Sequence, residues 1–322
     1  TQQVFLNLTN AASTDSTYWN NTDPTSTNFT IGNSPNVNSS GQSYVAYLFA
    51  HDAGGFGLAG TDNVISCGSF TADGSGNASV NLGYEPQFWL YKPVGTGGWT
   101  IYDTMRGWSQ TSIFNLNPNT SGAEGGGSTT AFYPTATGFD CVGSNLNPSA
   151  AYIYIAIRRG PMAVPTDGTE VFTPAVSSGT TGTVVTTGFP VDLQIQSYLA
   201  GPDNNFVDRL RGVSSTSTAA GPYLRSTTTA AEAGTNATLG WSNTAFQITA
   251  GFSGASTVYY NFRRAPGFFD EVCYTGTGSA QTLTHNLAAA PELIITKNRT
   301  ASNVWYTYTQ TTGATKYLRL NT

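Results

Sequence analysis

Apolar residues in this chain fall in short alternating runs, broken every 8–12 residues by Gly, Asn, Asp or Ser. From residue 99 to 104 the alternation is plain: Trp99, Ile101 and Asp103 share one face, and Thr100, Tyr102 and Thr104 share the other. That period of two belongs to a strand. The apolar run Tyr152 to Ile157 reads as a strand buried on both faces. No apolar pattern with a helical period is long enough for a core helix, and 230–240 holds at most a short turn of one. Short strands at this spacing predict an antiparallel sandwich or small barrel, with about seven or eight strands in each unit.

The strands recur in order. An aromatic strand ending in charge reads SYVAYLFAHD at 43–52, AAYIYIAIRR at 150–159 and TVYYNFRR at 257–264. The closing pairs His51–Asp52, Arg158–Arg159 and Arg263–Arg264 lie 107 and then 105 residues apart. A strand and Gly-rich turn follow each, at 63–77, 170–182 and 271–280. A proline comes next (Pro86, Pro190, Pro291), then two strands around a turn, at 88–107, 192–212 and 292–310. Trp99, Phe206 and Trp305 enter the second strand of each pair and are expected to be equivalent core anchors. Asp103 matches Asp208, and Arg106–Gly107 matches Arg211–Gly212, at a spacing of 105. VFLNL at 4–8, SIFNL at 112–116, PYLRS at 222–226 and KYLRLN at 316–321 also look equivalent.

The fold class expected is therefore all-β, with tandem antiparallel β-sandwich-like units of about 107 residues. The expected domains are 1–50, the back half of a unit; 51–158 and 159–264, two full units; and 265–322, the front half of another. Gly- and Pro-rich stretches at 51–63 and 158–169 read as linkers, and GAEGGGS at 122–128 as a flexible loop. The sequence opens on Thr1, not Met, and so reads as a processed chain or a piece of a longer one. Each half-unit alone leaves sheet edges unpaired, and together they supply one whole unit. The halves are expected to complete each other within a chain or between chains, with strand 44–50 beside residues near 293–308.

Composition narrows the function. Only 10% of the 322 residues are charged, the net charge is −5 and the sequence pI about 4.9. With no basic stripe, nucleic-acid binding lacks its electrostatic footprint. No stretch approaches the ~20 apolar residues of a transmembrane helix, so membrane insertion is not expected. Cys67, Cys141 and Cys273 are an odd set, best read as buried small apolar residues.

Reactive chemistry is sparse. His51 and His285 are the only histidines, and neither has a second His or Cys at ligand spacing. His51 beside Asp52 suggests acid–base work, but its counterparts are Arg158 and Arg159, which favours an exposed strand end. Asp103, Asp140, Asp208, Glu124, Glu170, Asp270 and Glu271 are scattered, and the repeat of Asp103 and Asp208 points to a turn hydrogen bond. GTGG at 95–98 and GAEGGGS lack the Lys-Ser/Thr and helix of a phosphate loop. Eight N-x-S/T sequons occur, at Asn7, Asn20, Asn28, Asn38, Asn77, Asn119, Asn236 and Asn298. They matter only where a glycosylation machinery exists. Trp19 and Trp108 lack repeat counterparts and are the candidates for a contact surface. No catalytic, cofactor-binding or metal residue is assigned, no cofactor is implied, and the chain reads as no enzyme.

YVAYLFAHD (44–52), VISCGSF (64–70), LGYEPQFWLYK (82–92), WTIYDTMRG (99–107) and YIYIAIRRGPM (152–162) resemble a repeated β-domain of virion structural proteins from marine and cyanobacterial tailed phages. The resemblance is best over about 43–165 and carries no catalytic signature. It implies an extracellular virion component, in a tail fibre or another tail or capsid-surface part. Its expected partners are copies of itself, other virion proteins and a host-surface glycan. A secreted bacterial adhesin or extracellular filament subunit is the alternative, and a glycan-degrading enzyme with two converging carboxylates the distant one.

Overall fold

A computed structural model describes residues 2–57, 59–104, 113–128, 131–142, 146–159, 164–177, 180, 182–199, 204–211, 221–236, 240–248 and 256–321. The regular structure is almost all antiparallel strand. Near the N-terminus lie β1 (Gln2–Gln3), β2 (Ser13–Thr14) and two single-turn helices, α1 (Ser16–Trp19) and α2 (Pro35–Asn38). Asp15 caps α1 by accepting from Thr17 N at 2.8 Å, and Asn20 closes it in the left-handed region.

Among the described residues, two blocks of nine strands follow. The first holds β3 (Ile65–Thr71), β4 (Ala78–Asn81), β5 (Pro86–Pro93), β6 (Thr100–Asp103), β7 (Ile113–Asn115), β8 (Gly125–Ser128), β9 (Ala131–Thr135), β10 (Gly138–Val142) and β11 (Ala151–Arg158). The second holds β12 (Phe172–Ser177), β13 (Val184–Thr186), β14 (Leu193–Tyr198), β15 (Asn204–Asp208), β16 (Gly221–Arg225), β17 (Ala233–Asn236), β18 (Gly240–Trp241), β19 (Ala245–Gln247) and β20 (Thr257–Phe262). In the first block the order β3-β11-β5-β6 extends to β7-β8 through the Ile101–Leu116 bridge. In the second it runs β12-β20-β14-β15-β16-β17. Each block adds a three-stranded sheet, β4-β10-β9 or β13-β19-β18. Strand for strand the order is the same, and Ile65 and Phe172, Pro86 and Leu193, and Gly138 and Ala245 open matching strands 107 residues apart. The Gly-rich stretch read as a loop is in part β8, paired to β7 through Asn115 and Gly125.

The cores differ more than the topology. In the first block Trp89 of β5 is fully buried. Its ring stacks on Phe139 of β10 at 4.6 Å and touches Phe132 of β9 at 5.4 Å and Tyr102 of β6 at 5.6 Å. Rings from both sheets thus meet face to face. Tyr152, Tyr154 and Ala156 line the inner face of β11 with period two. In the second block the ladder places Gln194 where the first has Trp89, since Leu193 faces Asp208 as Phe88 faces Asp103. Here the inner row is a buried amide chain. Gln196 Nε2 donates to Gln194 Oε1 at 2.9 Å, Gln194 Nε2 to Asn261 Oδ1 at 2.7 Å, and Asn261 Nδ2 to Thr173 O at 2.9 Å. A smaller apolar cluster of Phe246, Ile248 and Tyr259 completes it.

The chain closes with β21 (Leu293–Thr296), β22 (Tyr306–Thr309) and β23 (Leu318–Arg319), in that sheet order. Three predicted strands are not strands here: 4–8, 43–50 and 271–276. For the last two the physical reason is shared. A strand persists when neighbours take its backbone groups. In the full blocks β11 lies between β3 and β5, and β20 between β12 and β14. Segment 43–50 has no such neighbours, and segment 271–276 lacks the strand that would lie between it and β21.

Candidate assembly interface

The described residues gather their buried chemistry at the seams between blocks. Glu85 directly precedes β5, and Asp192 directly precedes β14; Arg159 and Arg264 follow β11 and β20. Each arginine reaches an acid of the other block. Arg264 grips Glu85 with two bonds of 2.9 and 2.8 Å, and Arg159 Nη2 meets Asp192 Oδ2 at 3.0 Å. Such reciprocity is the mark of a contact with approximate twofold symmetry. Asp270 completes the seam, accepting from Arg264 Nε at 2.7 Å. Burial opposes the charge on Arg264, yet Glu85, Asp270 and Asp192 outweigh it and hold the guanidinium well above its ordinary pKa. Burial also raises Asp270, but Arg264 and the Asn286 N–H prevail and lower it. The closing arginines were expected at an exposed strand end. The structure corrects this: the Arg264 side chain is 2% exposed, because the Glu85 and Asp270 carboxylates replace the water it gives up.

A second charge chain ties the C-terminal segment to the second block. Asp208 accepts from Arg211 N at 2.7 Å and pairs with Arg211 Nε. Arg211 Nη1 meets Glu232 at 3.3 Å, and Glu232 receives Arg299 Nε at 2.8 Å and Nη2 at 3.1 Å. The turn hydrogen bond expected of Asp208 is present; in the first block the matching donor, Arg106, lies outside the described residues. Glu271 packs against Asp208, and its buried Oε2 has no donor facing it. Burial first, then the Asp208 charge, raise the Glu271 carboxyl well above its ordinary value, and the protonated form donates to Asp208. Burial pushes the neighbouring Cys273 thiol up to about 12.

The tryptophans were expected in the sandwich core. Trp99 and Trp305 are buried, but against neighbouring segments. Trp99 Nε1 donates to Phe5 O at 2.7 Å, and Trp305 Nε1 to Arg225 O at 2.9 Å. The acceptors lie in VFLNL and PYLRS, two of the segments that match by sequence. Phe206 is not their equivalent. Counting back four residues from Asp103, Asp208 and Thr309, which face Phe88, Leu193 and Leu293, gives Trp99, Asn204 and Trp305. Phe206 instead rests on the Trp305 ring at 5.1 Å. Phe206 is the counterpart of Ile101, two residues further along the same strand face, and that shift made the aromatic match misleading.

Two apolar backbone edges stay open. Among the described residues, 43–50 makes no backbone–backbone hydrogen bond, and only Tyr44 is tied down, through Ser39 and Pro35. Val45, Tyr47, Leu48 and Phe49 are all more than half exposed, Tyr47 to 80%. β21 pairs with β22 on one side alone, and Leu293, Ile294 and Ile295 are exposed.

The remaining expected residues take modest places. His51 Nδ1 accepts from Cys67 N at 3.2 Å, and the side chain is exposed. His285 accepts from Leu287 N at 3.3 Å. Cys141 is buried in the first core, while Cys67 and Cys273 are half-buried. Glu170 caps a short turn by accepting from Thr166. Among the described residues, no three His, Cys, Asp or Glu side chains are grouped to hold a metal. Among the described residues, Asp208 and Glu271 converge in direct contact beside Arg211, and Glu85 and Asp270 converge on Arg264. Glycoside hydrolysis sets its two carboxylates ~5–10 Å apart around a sugar. Trp19 is exposed, and Trp108 lies outside the described residues. The seams themselves were missed by sequence reading, although the repeated charge pairs at 158–159 and 263–264 were the signal for them.

A family model described as Domain of unknown function (DUF7483) matches residues 1–161 and 236–322. No curated protein matches the chain, and no solved structure does.

Proposed function

The chain belongs to the DUF7483 family, and we propose that it is a non-enzymatic virion structural protein of a tailed phage. It serves in a tail fibre or another tail or capsid-surface part, outside the cell, and is built from tandem sandwich-like units of about 107 residues. The observation that carries this reading is the repeat itself: two nine-strand blocks of one strand order, joined by buried charge seams, with apolar edges open at 43–50 and β21. Such a layout puts buried Arg264, Glu85, Arg159 and Asp192 into holding strand blocks together. The five motifs that resemble phage virion β-domains supply the place. Its partners are other copies and neighbouring virion proteins, with a host-surface glycan as a further contact. Antibody raised against the chain and viewed by electron microscopy on purified tailed-phage particles should decorate a tail or surface element. Labelling confined to bacterial cell-surface filaments would replace this reading with that of an adhesin.

A further inference from the structure

We propose that residues 43–50 of one copy insert as a strand between β21 and residues 271–276 of a second copy. The full blocks provide the template. In the first, β11 lies between β3 and β5; in the second, β20 lies between β12 and β14. Segment 43–50 is the sequence counterpart of β11 and β20, and ends in His51–Asp52 where they end in Arg158–Arg159 and Arg263–Arg264. β21 is the counterpart of β5 and β14, since Leu293 faces Thr309 as Phe88 faces Asp103 and Leu193 faces Asp208. Its open side is the side on which β11 and β20 sit in the full blocks.

The template fixes the register. Ile157 faces Phe88 and Phe262 faces Leu193, so Ala50 of the donor faces Leu293 of the acceptor. Phe49 then faces Ile294, and Leu48 faces Ile295. Tyr152, Tyr154 and Ala156 turn inward on β11, as Thr257, Tyr259 and Asn261 are buried on β20. Val45, Tyr47 and Phe49 take these inward positions and cover the apolar side of the acceptor sheet. All three are more than half exposed in the single chain. Backbone bonds to β21 supply affinity, and the alternate side chains supply register.

The occupant is a second copy because the two partners are held on different blocks of their own chain. The N-terminal segment is fastened to the first block by Trp99–Phe5, Ala12–Val94 and Thr9–Gly97 contacts. The C-terminal segment is fastened to the second by Trp305–Arg225, Thr229–Asn303 and Arg299–Glu232. Donor and acceptor are different surfaces, so the contact is heterologous and closes a ring or extends a filament. This inference rests on the reading of the chain as a self-assembling subunit, and the test separates the two.

The full chain is made in two forms, Leu48→Cys at natural isotope abundance and Ile295→Cys uniformly labelled with nitrogen-15. They are mixed and mildly oxidised, and disulfide-linked peptides are identified by mass spectrometry. A link between position 48 of a light chain and position 295 of a heavy chain is expected, since facing strand residues lie within disulfide reach. The second variant is Leu48→Pro. A central strand has no free side on which to hide a missing N–H, so this change should weaken association by roughly a hundredfold. Its thermal unfolding as a monomer should stay unchanged, because the backbone of 43–50 bonds to no backbone group in the single chain. Copies that associate equally well with Leu48→Pro and give no 48–295 link would overturn the insertion and leave self-assembly standing. A parent chain that stays monomeric throughout would overturn both.

Discussion

Replacing Arg264 with Met tests whether the charge seam holds the two blocks together. The guanidinium is 2% exposed and donates at 2.9 and 2.8 Å to Glu85 and at 2.7 Å to Asp270. Met keeps much of the stem but leaves both carboxylates without their cation. Removing one member of a buried pair costs about 3–5 kcal/mol, because a desolvated charge is left behind. In a chain of this size each kcal/mol moves Tm by roughly 2–4 °C, which gives a fall of about 6–20 °C. The seam spans two blocks, so hydrogen exchange should quicken on both sides, near Glu85 and near Asp192, while the Trp89 core keeps its protection. Adding Glu85→Gln removes one stranded charge and should recover part of the loss. The coupling between the two substitutions, read from urea midpoints at constant slope, should exceed about 1 kcal/mol. Strictly additive losses, with exchange faster only in the second block, would refute the seam as a tie between blocks.

Trp89→Ala should cost about 3–5 kcal/mol and unfold the first block first, whereas Gln194→Ala at the matching position should cost less, about 1–3, through the amide partner it strands; denaturant unfolding followed by block-specific exchange reads both. Trp99→Phe keeps an aromatic ring there but loses the bond to Phe5 O, so residues 2–15 should exchange faster with a global loss of about 1 kcal/mol. Glu271 carries a raised folded-state pKa, so the folded chain holds a proton that the unfolded chain releases above the ordinary value of 4.5. Its contribution is therefore full below that value and is lost as pH rises toward the folded one. Glu271→Gln should flatten that slope and raise the urea midpoint more at about pH 8 than at about pH 5; a pH-independent difference would deny the raised pKa.

Strand order was legible because alternation and turn residues are local signals, and because a repeat states them twice. The aromatic-to-charge strand at 150–159 and its copy at 257–264 are β11 and β20, each near the centre of its sheet. The same motif at 43–52 is not a strand, since its neighbours are not in the same half-unit. The seams were illegible for another reason. Whether an arginine at a strand end meets water or a carboxylate depends on what a different block presents, and Glu85 lies 179 residues from Arg264. Phe206 shows a third limit: aromatic matching tolerates a shift of two residues, which keeps the face and changes the partner.

Edge strands are treated unevenly in this chain: β3, β4 and β13 carry neither proline nor charge, while others are guarded. β9 and β12 are edge strands, and each carries a proline, Pro134 and Pro174, which removes a backbone donor from the ladder. β21, with sequence LIIT, has neither proline nor charge, and Ser43–Ala50 has neither. A surface with only 10% charged residues offers little general repulsion to compensate. An unguarded apolar edge and an unguarded apolar strand in the same chain will find each other or aggregate. Their matching register tells the two outcomes apart. Insertion uses one alignment, Ala50 on Leu293, and saturates when every edge is filled, whereas aggregation has no preferred register and does not saturate. Charging the outward side of the donor with Leu48→Lys should therefore separate them. It faces the outer side of the sheet, where β11 carries half-buried Ile155, so ordered association should persist with weakened affinity while amorphous precipitation falls. Loss of both in equal measure would mean that the exposed strand is only sticky.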